Sequence, residues 1–123
     1  MNLVLKRVYE QPSSDDGERI LVERLWPRGL SKEAARLDGW FKDLAPSPEL
    51  RCWFGHVVER WPQFRRRYEV ELAAPEKQSL LGQLAAKARS GRVTLLYAAR
   101  DTEHNGAVVL KEFLEHRTVD GSS

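Results

Sequence analysis

A chain of 123 residues that is 41% hydrophobic can build one modest core and no second domain. Its 20 basic and 18 acidic residues nearly cancel to a formal net charge of +2, so the strongly basic face of a dedicated nucleic-acid binder is not expected. The apolar run near Met1 is too short for a signal peptide, no stretch approaches the ~20 apolar residues of a membrane span, and Cys52 has no second cysteine to pair with. A reducing cytoplasm is the expected compartment.

Asn2 to Val8 has the length and aliphatic content of a strand, and the turn-forming set Pro12, Ser13, Ser14, Asp15, Asp16 and Gly17 follows it. A second strand is expected over Ile20 to Trp26, stopped by Pro27-Arg28-Gly29, because proline cannot donate to a ladder. Ser31 can cap a short helix. Leu37, Trp40, Phe41 and Leu44 then fall at i, i+3, i+4 and i+7, the spacing of a buried helical face, although Gly39 weakens a helix interior. Ser47-Pro48-Glu49 supplies a capping hydroxyl, a first-turn proline and an acid, and Gly55 a stop, which predicts a helix over 48–54.

From Arg60 the stripe Trp61, Phe64, Tyr68 and Leu72 predicts a longer helix, with Arg65/Glu69 and Arg67/Glu71 as i, i+4 pairs on its wet side. Leu80, Leu81, Leu84, Ala85 and Ala88 mark another helix, closed by Gly91. Val93 to Tyr97 is uniformly apolar, as a strand covered on both faces must be, and Val108, Val109, Leu110, Phe113 and Leu114 carry the last helix. The expected order is β-β-α-α-α-α-β-α. The fold class is α/β: a single small domain over residues 1–117, with a short, mainly parallel sheet flanked by helices. Residues 118–123 are expected as a flexible tail.

In such a sheet, ligands bind where loops leave the carboxyl ends of the strands. The loop 98–106 crowds Arg100, Asp101, His104 and Asn105 between a strand and a helix start, and the turn after Trp26 is expected to meet it. Exposed amides at a helix start favour an anion, and guanidinium groups are its natural partners. A carboxylate- or phosphate-bearing small molecule is therefore expected among Arg24, Trp26, Arg28, His56, Tyr97, Arg100 and Asn105. Within that cleft His104 can exchange protons near neutral pH and Asp101 can orient it or act as base, the division of labour that acid–base catalysis needs. The plainer reading makes Asn105 the helix cap, Asp101 a local backbone acceptor, and Trp26 a core side chain.

Cys52 and His56 have a zinc-like spacing, but Gly55 interrupts the helix between them and no second pair completes a tetrahedral site, so no metal is expected. Phosphate-loop, nucleophile-elbow and paired-cysteine signatures are absent, and no cofactor is expected. The alternative function is a non-catalytic regulatory or nucleic-acid module that uses the Arg60 to Arg67 helix, a cluster diluted by Glu69 and Glu71.

Lys6-Arg7-Val8-Tyr9, Arg24-Leu25-Trp26-Pro27-Arg28-Gly29, Leu44-Ala45-Pro46-Ser47, Trp53-Phe54-Gly55-His56, Arg60-Trp61, Phe64 to Tyr68 and the block from Val93 to Leu110 together resemble the YeaO-like branch of the DUF488 family over residues 3–116. The resemblance brings no assigned activity. Two positions depart from the pattern: Val57, where relatives tend to carry an acid, and Gly106, where a larger polar residue is common. More distant DUF488 proteins place a Cys-His-Arg run near the position of Asn105. Without that cysteine, the resemblance implies no thiol chemistry at this loop.

Overall fold

The computed structural model describes residues 1–121, with side chains through Arg117. Strands β1 (Asn2–Arg7), β2 (Glu18–Leu21), β3 (Gly39–Trp40) and β4 (Arg92–Tyr97) form one sheet in the order β1-β4-β2-β3, with every pairing parallel. β4 is central, in register with β1 through Leu5↔Leu95 and with β2 through Ile20↔Leu95. Its apolar run follows from that position, because a strand buried on both faces has no polar side to present.

Successive side chains of a strand point to opposite faces, and two cores result. Ile20, Val93 and Leu95 join the larger core beneath helices α2 (Pro48–Phe54), α3 (Trp61–Ala73), α4 (Gln78–Ser90) and α5 (Gly106–Gly121). Their neighbours Leu21 and Leu96 face a smaller core closed by Trp26, Leu30 and Leu37, beside the one-turn helix α1 (Lys32–Ala35). Helix starts follow the capping signals: Ser31 Oγ accepts from Ala34 N–H, and Ser47 Oγ from Leu50 N–H. α5 runs on through the backbone of residues 118–121, over which a tail was expected, and residues 122 and 123 lie outside those described.

Two expectations are corrected. The second strand covers Glu18–Leu21 and not residues 20–26. Val22 N–H still donates to Leu96 O, but β4 ends at Tyr97, and beyond it the Glu23 carboxylate, rather than a backbone carbonyl, takes the Ala98 N–H. The helix expected over Leu37 to Leu44 is instead β3 followed by a 3-10 turn, Lys42–Leu44. Its helical spacing is misleading, since Leu37 packs into the smaller core whereas Phe41 and Leu44 pack into the larger one. Gly39 lets β3 close on β2: a Cβ there would lie 3.0 Å from Ile20 Cδ1.

The arginine-rich face of α3 is also partly rewired. Arg65 pairs with Glu69 at 3.7 Å as expected and reaches Glu112 on α5. Glu71, however, accepts from Ser47 N–H at 2.9 Å and Ser47 Oγ at 2.6 Å, tying the start of α2 to α3. Arg67 lies instead over the Trp53 ring, 4.5 Å from its centroid.

Candidate functional site at the carboxyl edge of the sheet

All four strands being parallel, their carboxyl ends share one edge, and the loop leaving β4 runs along it. Arg7 fixes the start of that loop by donating to Ala99 O at 2.9 Å and Ala98 O at 3.2 Å. Asp101 fixes its middle: Oδ1 accepts from the backbone N–H of Glu103 and His104, and Oδ2 lies 2.9 Å from His104 Nδ1. The Glu103 N–H bond and then the His104 ring hold the Asp101 carboxyl below its usual range. An ionised Asp101 can only accept, so His104 Nδ1 carries the proton of that bond and Nε2 is left for a ligand. Asn105 fixes its end, accepting from Val108 N–H at 3.1 Å and donating to Asp101 O at 2.9 Å, so it caps α5 and locks the turn together.

A cavity of about 240 Å³ opens beside this loop. Its apolar wall includes Pro46, Phe54 and Phe64, and its polar groups are Glu23, Arg51, His56, His104 and Asn105. Glu23 Oε2 accepts from Ala98 N–H at 3.1 Å. Burial pushes the Glu23 carboxyl up, against the smaller opposing effects of the Ala98 bond, Arg51 and His56. His56 takes a left-handed backbone conformation, φ 60°, directly after Gly55 at φ 50°. A non-glycine residue rarely holds that conformation, and here it places the imidazole on the cavity. Among the described residues, the Arg51 and His56 side chains have no hydrogen-bond or ion-pair partner.

Of the residues singled out from sequence, His56, His104 and Asn105 line the cavity and Asp101 holds His104 from behind. Five lie elsewhere. Arg24 donates to Ala45 O and Pro46 O and lies 3.8 Å from Asp43, so it braces the segment that carries the Pro46 wall. Trp26 donates to Leu30 O and packs edge-on against Trp40. Arg28 is exposed, with its carbonyl bonded by Tyr9 Oη. Tyr97 is buried in the larger core, and Arg100 is exposed.

The expected meeting of residues 26–29 with the loop 98–106 does not build the cavity: none of residues 26–29 lines it, although Trp26 and Ala98 pack against the same small core. β2 ends before them, and the chain has already turned away to cover the opposite core.

Sequence reading passed over Glu23, Arg51 and Arg7. Glu23 was hidden inside the strand expected over 20–26. Its signal is a lone carboxylate directly after the buried run Ile20-Leu21-Val22. Arg51 sits one helical turn before the Gly55-His56 pair, a proximity that appears only once α2 is placed.

The family model described as the inactive DUF488-N3 subclade matches residues 2–122. The chain belongs to the DUF488 family. It is 45% identical over 114 residues to the uncharacterized protein YeaO of Escherichia coli K12, an alignment covering 93% of this chain and 97% of that protein. It is 40% identical over 111 residues to an uncharacterized protein of Mycobacterium bovis, covering 90% and 92%. No solved structure matches the chain.

Within this DUF488 protein Val57 and Gly106, the two positions where the resemblance leads one to expect other residues, have different surroundings. Val57 is exposed, whereas Gly106 lines the cavity, where a Cβ would lie 3.3 Å from Pro46 Cγ. A larger side chain there would press on the wall, so glycine keeps the cavity open. The loop 98–106 holds no cysteine, and Cys52 is exposed on α2 away from the lining. Among the described residues no group of three His, Cys, Asp or Glu side chains converges as metal ligands would, and no helix is long and apolar enough to cross a membrane.

Proposed function

We propose that this chain binds a compact anionic molecule, a carboxylate or phosphate, in the cavity at the carboxyl edge of the sheet. The observation that carries this reading is that the Arg51 guanidinium and the His56 imidazole line one cavity and, among the described residues, make no hydrogen bond or ion pair. Arg51 and His56 are exposed at the open side of this partly apolar cavity, where a guanidinium without a protein partner can make charge-assisted hydrogen bonds to an anion that enters. The start of α5 adds the positive end of its dipole on the same side, and His104 lines the same cavity with a ring that Asp101 already orients. The cavity is smaller than the ~300–1,000 Å³ of drug-sized sites, which favours a small ligand over a nucleotide.

Binding without turnover is the favoured form of this reading. Among the described residues the lining offers no cysteine, serine, threonine or lysine to act as nucleophile, and the matching family model is described as inactive. The oriented Asp101–His104 pair serves proton transfer, and with its proton on Nδ1 the ring equally offers Nε2 as an acceptor to a ligand hydrogen.

The alternative, a nucleic-acid surface on α3, has less behind it. Arg60 donates to Trp53 O, Arg65 is paired with Glu69 and Glu112, and Arg67 covers Trp53, which leaves Arg66 as the solvated cation of that run.

Calorimetric titration with inorganic phosphate, sulfate, acetate and propionate tests the proposal. At least one anion is expected to bind at one site, with affinity falling about tenfold or more in Arg51→Ala, a loss of ~1.4 kcal/mol. An Arg66→Ala control is expected to leave it unchanged. Binding equal in parent and Arg51→Ala, or none by any of these anions, overturns the reading.

A further inference from the structure

The cavity is not uniformly cationic. Glu23 lines it together with Arg51 and His56, and among the described residues none of its carboxylate oxygens comes within 4.0 Å of a nitrogen of either. Opposite charges thus share one small space without closing on each other, although Arg51 and His56 are near enough to act on Glu23 electrostatically. One Glu23 oxygen is occupied by Ala98 N–H and the other has no protein donor among the described residues. That free oxygen is not sealed in protein, since no buried side-chain polar atom of the described residues lacks a partner. It therefore opens on accessible space.

We propose that the ligand of this cavity is a small zwitterion of amino-acid size, its anionic oxygens against Arg51 and His56 and its ammonium on the free oxygen of Glu23. The proposal rests on the anion reading above and deepens it. A pure anion satisfies Arg51 and His56 but meets the Glu23 charge, and a pure amine does the reverse. A molecule carrying both ends spans the gap that the protein leaves open, with a charge-assisted hydrogen bond at each end, the one to half-buried Glu23 in a partly desolvated setting. The volume of about 240 Å³ limits the ligand to a compact molecule. Glu23 is then the specificity-determining residue, since it separates amino acids from simple acids of the same length.

The test is calorimetric titration of the unmutated chain with glycine, β-alanine and γ-aminobutyrate, each beside the acid that lacks its amino group: acetate, propionate and butyrate. At least one zwitterion is expected to bind about tenfold tighter than its matched acid, or ~1.4 kcal/mol. In Glu23→Gln, which keeps an oxygen for Ala98 N–H, the preference is expected to vanish while the affinity for the simple acid holds or rises. Acids that bind as tightly as their zwitterions overturn the ligand class and leave the anion reading standing. A preference that persists in Glu23→Gln overturns the role of Glu23. If neither set binds while phosphate or sulfate does, this inference falls and the anion reading stands; if none of these binds, both fall. The panel on the unmutated chain decides the ligand class even if Glu23→Gln does not fold.

Discussion

Asn105 shows how one side chain can serve the fold and the cavity together. It is buried, its Oδ1 accepts the first orphan amide it can reach in α5, and its Nδ2 closes the loop on Asp101 O. Alanine at this position removes an N-cap, which costs about 1 kcal/mol, and also leaves the Asp101 carbonyl without that donor. Asn105→Ala is expected to lower the urea midpoint by an amount corresponding to about 1–2 kcal/mol while weakening anion binding, because the loop that carries His104 loses its anchor. Asp is the sharper comparison. Asn105→Asp keeps the capping oxygen but not the donor to Asp101 O, so it is expected to restore most of the stability and little of the binding. A variant pair that loses stability without any change in binding would make Asn105 a cap and nothing more.

Among the elements, the parts that a short window of sequence encodes are those that sequence reading found. α2 announces itself through Ser47-Pro48 and Gly55, α3 and α4 through their stripes, and β4 through a run with no polar face. What stayed hidden depends on partners distant in the chain. β3 is two residues long and exists because Gly39 and Trp40 lie against Ile20 and Leu21, nineteen positions earlier, a pairing that no local periodicity reports. The candidate site followed the same division. The loop 98–106 was legible because its groups are adjacent in sequence. Arg51 and Glu23 come from other elements and meet it only through the parallel packing, while Arg24 and Arg28 shared their sequence neighbourhood with a strand end that lies earlier than expected. The amino edge of the sheet offers a test of how tightly elements are docked. Gly17, at φ 65°, precedes β2, and a Cβ there would lie 2.1 Å from the backbone oxygen of Arg92 at the start of β4. Backbone cannot yield as a flexible side chain can. Gly17→Ala is therefore expected to cost at least ~2 kcal/mol, read as a shift in urea midpoint, through both the clash and the left-handed backbone. A shift below about 0.5 kcal/mol would mean that β2 and β4 are less closely joined there than this structure places them.

Taken as one body, the protein keeps a lowered carboxylate at each end of its sheet and a raised one at the carboxyl end, and its stability should register both kinds. At the amino edge, burial pushes Asp16 up, but hydrogen bonds from Ser13 N–H, Lys6 and Arg19 outweigh it and hold the group below 3.8. At the carboxyl edge, Asp101 is lowered by the Glu103 amide and by His104. A lowered carboxylate contributes stability that is present above its unfolded pKa and lost as pH falls through its folded one, so both aspartates favour folding at neutral pH and release it in acid. Glu23 works the other way. Burial raises it above 4.5, so over the window just above that value the folded chain holds a proton that the unfolded chain has lost. Stability must then decline as pH climbs through that window, since the native state binds more protons there than the unfolded state does. The expected profile of urea midpoint against pH rises out of strong acid as the aspartates ionise, then sags above 4.5 as Glu23 is forced to ionise in place. Glu23→Gln has no proton to lose and is expected to remove the sag while leaving the acid limb unchanged. Parent and variant profiles that stay parallel throughout would show that Glu23 is solvated in the folded protein. A ligand ammonium that seats on Glu23 supplies the missing counter-charge, so a saturating zwitterion is expected to flatten the same sag in the unmutated protein, which ties the pH profile of the empty molecule to the chemistry of what fills it.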